Sequence, residues 1–264
     1  MLLSDFVQSV NSIFPFSAAV SGDNVGLHIA SNSGTTERVL ICLEITDSVI
    51  DEAIHVSADT VLTFHPLIYT PLKTLSGSDR VSKLVLRLVT NGIAVVCVHT
   101  AFDVFPQGTN FLLASKLGLE TVEVLDPIST NNGSGLGVIA RYPHTTDYRT
   151  FVHKVAEVCG SVVRHVPCVT NSVTTVAIVA GSGIAWFDKA VASKVDVFVT
   201  ADVKYHAFHA ASNLIGLVDP GHYEMEQFVP AGIIQELRPL LSADCQLILS
   251  EINTNPVQYC TAST

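Results

Sequence analysis

Residues 39–66, VLICLEITDSVIDEAIHVSADTVLTFHP, decide the fold. The run VLICLEI (39–45) is uncharged until Glu44 and rich in Val, Ile and Leu, the pattern of a strand buried on both faces. Thr46-Asp47-Ser48 can then cap a helix, with Val49, Ile50, Ala53 and Ile54 as its apolar face. TVLTF (60–64) is the next strand, halted by His65-Pro66 because proline cannot donate to a central ladder. Outward from this stretch, a helix is expected through 81–91, ended by Asn91-Gly92, and then the strand IAVVCV (93–98). This β-α-β-α-β order predicts an α/β protein with a largely parallel sheet.

The order then recurs. PISTNNGSG (127–135) is a loop of turn formers and small polar residues, followed by a strand in LGVIARY (136–142) and a helix from Tyr148 to Cys159. TTVAIVAGSG (174–183), a helix through 184–194, DVFVTAD (196–202), a helix through 204–213 and LIGLVDPGH (214–222) repeat the opening block. The expectation is two similar α/β lobes with largely parallel sheets, 1–126 and 170–264, joined by a short connecting segment over 127–169. A chain of 264 residues, 48% of them apolar, can supply the cores.

The formal net charge is −10, and the 14 basic residues form no block. A nucleic-acid partner would require a basic stripe to release counterions, so direct nucleic-acid binding is not expected. The six cysteines are widely spaced, without a CxxC pair, and Cys42 and Cys97 sit inside apolar runs, as reduced buried thiols do. MLLSDFVQSV lacks the positive start and cleavage site of a secretory signal. The longest uncharged stretch, Cys168 to Phe187, is broken by Thr174, Thr175 and Gly181-Ser182-Gly183, so no membrane span is expected and the location is taken as cytoplasmic.

The chemistry collects where strands end, at His65, His99, Asp202 and His222; in an open parallel sheet, ligands bind at the carboxyl ends. His99-Thr-Ala-Phe-Asp103 and His222-Tyr-Glu-Met-Glu226 share the spacing His-x-x-x-acid. On a helical turn this puts an imidazole and a carboxylate on one face, where they can meet one cation. A single such pair is ordinarily a hydrogen-bonded surface histidine; two copies at matching ends of repeated halves point to metal ligands. His65 has the same alternative of a satisfied core histidine, but the following Pro66 fixes the backbone as a ligand requires. His206 is either a proton shuttle or support for a ligand, Lys204 a phosphate contact or a solvated lysine, and Asp202 a helix cap. Gly181-Ser182-Gly183 follows a strand without a GxGxxG or GxxxxGK[ST] pattern, so a tight strand-to-helix turn is expected there. Cys97 is assigned to the core.

DNVGL (23–27), ADTVLTFHPLIYTPLKTL (58–75), GIAVVCVHTAFD (92–103), QGTNFLLASKLGL (107–119), VDVFVTADVKYHAFHAAS (195–212) and GHYEME (221–226) together resemble the NIF-three-like family, also called the GTP cyclohydrolase I type 2 homologues. The resemblance spans nearly the whole chain in order. It implies a two-lobed α/β fold, here without the extra domain that longer members insert between the halves, and a toroidal hexamer built from dimers, with two metal ions per subunit. It also implies His65, Asp103, His222 and Glu226 as metal ligands, with Glu226 bridging. The family's strand-end His-His-Pro is Phe64-His65-Pro66 here, so one imidazole is missing and the expected occupancy is one or two ions. Glu44 stands where the family more often has Asp.

A His/carboxylate set without cysteine suits Zn, Fe, Mn or Co. Cations sharing a carboxylate activate water near neutral pH. The expected activity is therefore metal-assisted hydrolysis of a nucleotide or phosphorylated small molecule, GTP cyclohydrolase-like or phosphoesterase-like, with His99 or His206 as proton shuttle. The alternative is a non-catalytic metal-binding regulatory or scaffold protein.

Overall fold

The computed structural model describes residues 1–128, 133–242 and 244–260. From the N-terminus come α1 (Leu3–Ile13), β1 (Gly26–Ile29), β2 (Arg38–Cys42), α2 (Asp47–His55), β3 (Thr60–Thr63), α3 (Arg80–Thr90), β4 (Ala94–Cys97) and α4 (His99–Asp103). Next are α5 (Thr109–Lys116), β5 (Glu120–Pro127), β6 (Gly135–Asp147), α6 (Tyr148–Cys159), β7 (Arg164–Val166), β8 (Ser172–Ile178) and α7 (Phe187–Ala192). The chain ends through β9 (Val197–Val199), α8 (Tyr205–Ala211), β10 (Gly216–Asp219), α9 (His222–Glu226), α10 (Val229–Leu237) and β11 (Gln246–Leu249).

The first unit comprises Met1–Phe102 and Val229–Thr254. Its sheet runs β1-β4-β3-β2-β11. β2, β3 and β4 are parallel neighbours, as their uninterrupted apolar runs predict, and every residue of β3 and β4 is buried. β11 adds in parallel to β2, while β1 closes the other edge antiparallel to β4. Thr46 caps α2 by accepting from Val49 N at 3.2 Å, as its hydroxyl predicts. Gly92, at φ +67°, ends α3 where a side chain would be strained. Leu40, Val61, Val95, Ile50 and Leu84 form the core between sheet and helices.

The second unit comprises Asp103–Phe228 and Asn255–Thr264, described as far as Cys260. Its sheet runs β5-β6-β8-β9-β10-β7. β8, β9 and β10 are parallel, but β5 with β6, β6 with β8, and β7 with β10 are antiparallel. This sheet is therefore mixed, contrary to the largely parallel expectation. The physical reason is the β5–β6 hairpin, whose ends Pro127 and Gly135 pair directly. Residues 129–132 of the expected 127–135 loop lie outside the described residues.

The duplication is clearer in the structure than in the sequence, and its bounds differ. α1-β1-β2-α2-β3-α3-β4-α4 and α6-β7-β8-α7-β9-α8-β10-α9 have the same order, and in each sheet the antiparallel edge strand lies beside the last parallel strand. The expected division at 126 and 170 is corrected accordingly. α6 and β7 belong to the second repeat, while the segment after it, α10 and β11, builds onto the first unit because β11 pairs with β2.

Five of the six cysteines are buried and Cys260 is exposed, and Cys97 is in the core as expected. Among the described residues no helix is long and apolar enough to cross a membrane.

Candidate metal centre

Each repeat ends its third parallel strand in a one-turn helix that opens on a histidine. α9 begins after Gly221, whose φ of +100° is left to glycine, and places His222 and Glu226 one turn apart. His222 Nε2 lies 3.1 Å from Glu226 Oε2. That separation is close to what two ligands of one small divalent ion adopt, about 3.0–3.4 Å for bonds near 2.1 Å. Glu226 is 3% exposed. His222 Nδ1 is held at 2.7 Å by Asp202 Oδ2, which also accepts from the Ser182 hydroxyl.

A carboxylate on one ring nitrogen fixes the other as a donor, the arrangement that orients metal-bound histidines. Burial alone would lower the His222 pKa; the Glu226 carboxylate, by hydrogen bond and charge, and then Asp202 outweigh it and raise it to about 9. Two carboxylates thus make this a place that favours positive charge. Asp202 is itself held below the usual carboxylate range, because the Ser182 and His222 hydrogen bonds exceed the effect of its burial.

Gly181 leaves room at the same point. A Cβ there would lie 2.6 Å from Glu226 Oε1 and 3.2 and 3.3 Å from His222 Cε1 and Nε2, and φ is +65°. The expected tight turn is present: Ala201 N donates to Gly181 O at 2.8 Å, and the buried Thr200 hydroxyl joins Gly181 O to Gly183 N. Sequence reading missed that the same glycine opens space beside the two donors. The signal was GSG after a buried strand, but the side chains it spares lie more than forty residues on.

In the first unit, His65 follows β3. Its Nδ1 lies 3.1 Å from Glu44 Oε2, and Arg80 donates to Glu44 Oε1 at 3.0 Å. These contacts hold Glu44 below its ordinary pKa against the opposing effect of burial. Glu44 therefore orients His65 despite being the longer acid. Phe64 is fully buried, its ring 4.9 Å from that of His65, 5.6 Å from His99 and 6.5 Å from Phe102. It is an aromatic core residue that offers no ligand.

His99 opens α4, with Nδ1 2.8 and 2.9 Å from the two carboxylate oxygens of Asp23. Asp103 ends α4 and lies in the second unit; its carbonyl accepts from Asn110 Nδ2 at 3.2 Å, and Asn110 Oδ1 accepts from Ala180 N at 2.7 Å.

His206 is exposed on α8 with its ring 5.4 Å from that of Tyr205. Among the described residues it makes no hydrogen bond to His222, Glu226 or Asp202. Lys204 is exposed at the start of α8. Asp202 does not cap α8, since the cap position is Lys204 and no side chain fills it; Asp202 is spent on His222 and Ser182 instead. Within the second unit, His222 and Glu226 are, in donor chemistry, a pair that could hold a metal ion, and His65 of the first unit is an imidazole of the same donor type.

Repeated parallel strands carrying imidazole–carboxylate pairs at their ends define a duplicated α/β protein. The model of the Duf34/NIF3 (NGG1p interacting factor 3) family matches residues 1–256, and the chain belongs to that family. A Lactococcus lactis subsp. lactis protein named GTP cyclohydrolase 1 type 2 homolog is 31% identical over 262 residues, covering 97% of this chain and 98% of its own. A Clostridium perfringens protein of the same name is 24% identical, with 98% and 100% covered. Among solved structures, a Staphylococcus aureus hypothetical protein superimposes with a TM-score of 0.88 at 27% identity over 98% of this chain and 99% of that one. A Bacillus cereus protein related to NIF3 shares the fold, with a TM-score of 0.90 at 23% identity over 98% and 99%.

Proposed function

We propose that this chain is a divalent-metal-dependent hydrolase acting on a nucleotide or a phosphorylated small molecule. His222 and Glu226 hold the ion, with His65 and Asp103 as the further ligands that the family pattern implies. The observation that carries this reading is the His222–Glu226 pair, 3.1 Å apart beside the space Gly181 leaves. The name GTP cyclohydrolase 1 type 2 homolog, borne by the Lactococcus lactis relative, supports a nucleotide as the substrate class.

A bound divalent ion would supply Lewis-acid activation of the electrophile and of water. The chain's own part is orientation and proton transfer. Asp202 and Glu44 hold the Nδ1 sides of His222 and His65, so that Nε2 of each is the donor. His99, anchored through Nδ1, has Nε2 for moving a proton. His206 is a second shuttle only if α8 rearranges on substrate binding.

The test is to count metal in the purified protein by elemental analysis and to assay GTP and a broad phosphoester panel, with Glu226→Ala as the comparison. Turnover that Glu226→Ala abolishes supports the reading. A fully metallated protein that turns over nothing, and whose behaviour Glu226→Ala leaves unchanged, sinks it in favour of a non-catalytic scaffold. The family pattern also makes the chain a homohexamer in this reading, which native mass measurement checks.

A further inference from the structure

The DNVGL stretch begins with Asp23, on the loop between α1 and β1, far in sequence from any of the proposed ligands. Its side chain is only 4% exposed. A carboxylate so placed requires donors, and it has three kinds. His99 Nδ1 lies 2.8 and 2.9 Å from its two oxygens, Thr100 N donates to Oδ2 at 3.2 Å, and the Thr100 hydroxyl donates to the same oxygen. Thr100 Oγ1 in turn accepts from Val20 N at 2.9 Å, so the loop and the start of α4 are fastened together.

Burial alone would raise the Asp23 pKa; the His99 and Thr100 hydrogen bonds and the imidazole's charge outweigh it and hold it at about 2. Asp23 is then ionised at neutral pH and can only accept. The proton of the shared bond therefore sits on His99 Nδ1. His99 also carries φ of +28°, a conformation non-glycine residues rarely take and one that persists where surroundings impose it, often at functional sites. Its ring centroid is 5.7 Å from that of His65, edge to face.

We propose that Asp23 is a positioning residue for His99. It fixes the imidazole in the Nδ1–H tautomer and leaves the Nε2 lone pair as the proton-accepting atom of that ring. In the proposed hydrolysis, Nε2 takes a proton from the attacking water, Asp23 stabilises the imidazolium so formed, and Nε2 returns the proton to the leaving group. The proposal rests on the hydrolase reading for its purpose. Its geometry is independent of that reading, and so is its test.

A purely structural role, stapling the loop to α4, would need only that Asp23 hold Thr100. The experiment separates the two. The full chain is prepared with 15N-labelled histidine rings, His99 is assigned by loss of its signals in His99→Gln, and the tautomer is read from the ring nitrogen shifts near pH 8. The wild type is expected to show Nδ1–H at His99. Asp23→Asn, whose amide can donate as well as accept, is expected to give a mixture or the Nε2–H form, Asp23→Glu to recover part of the Nδ1–H signal, and Thr100→Ala to leave the tautomer as in the wild type.

The proposal is overturned by an Nε2–H tautomer in the wild type, by an unchanged tautomer in Asp23→Asn, or by a tautomer shift in Thr100→Ala. If Asp23→Asn does not fold, the wild-type and Thr100→Ala spectra still decide. Metal counted on the same samples keeps the two readings apart: a metal-free wild type with Nδ1–H at His99 sinks the metal centre and leaves the positioning intact.

Discussion

Replacing Gly181 by alanine separates a metal site from a mere turn. The residue sits at φ +65°, where an L side chain costs about 1–2 kcal/mol. Gly160, at the end of α6, has φ of +66° and no atom within 4 Å of an added Cβ. Gly160→Ala therefore carries the same strain into open space. Gly181→Ala adds the contact of 2.6 Å with Glu226 Oε1. Restoring an ordinary carbon–oxygen contact of about 3.3 Å pushes that carboxylate back by roughly 0.7 Å. Metal ligands tolerate about 0.2 Å.

Both variants should therefore melt lower, by about 2–4 °C for each kcal/mol in a chain of this size. Only Gly181→Ala should lose affinity for Zn²⁺ or Mn²⁺, by about 10-fold or more, the scale seen when ligand orientation is disturbed. Titration against a metallochromic indicator, with thermal melts of the apo proteins, measures both quantities. If Gly181→Ala binds either ion as tightly as Gly160→Ala does, the space beside His222 and Glu226 is not an ion site.

Phe64→His puts back the imidazole that the family pattern has at this position. In a fully buried aromatic cluster its ring nitrogens need partners, so the apo variant should lose about 1–3 kcal/mol, and saturating divalent metal should raise its Tm further than the wild type's. Equal metal-induced shifts would show that position 64 does not face an ion. Acid stability tests Asp23. Its folded pKa, about 2, lies below the unfolded value near 3.9, so its contribution is fully present above that value and is lost as pH falls through about 2. Urea unfolding at pH 6 and pH 2.5 should show the wild type losing on the order of 2 kcal/mol more than Asp23→Asn over that interval, and parallel losses would contradict the assignment.

The parallel cores were legible because buried strands write themselves as uninterrupted apolar runs. VLICL, TVLT and AVVC become β2, β3 and β4 within a residue or two, and Tyr148–Cys159 is the helix expected. β11 was not legible: QLIL has exposed ends, and its place beside β2 comes from pairing across some two hundred residues. The division into units failed with it. At the site, the His-x-x-x-acid spacing correctly put His222 beside Glu226, because i and i+4 meet on any helical turn. Asp23, Glu44 and Asp202 were not read as partners of His99, His65 and His222. A carboxylate that reaches an imidazole from another loop leaves no periodic trace.

The crossing of the chain's last segment has a consequence for how the molecule can be taken apart. A fragment ending after the first repeat would keep β2 but lose β11, leaving that strand's hydrogen-bonding edge open to any other chain. The duplicated halves are thus not interchangeable modules: each repeat on its own is an unfinished sheet. Two separately expressed pieces should become soluble only when they are made together.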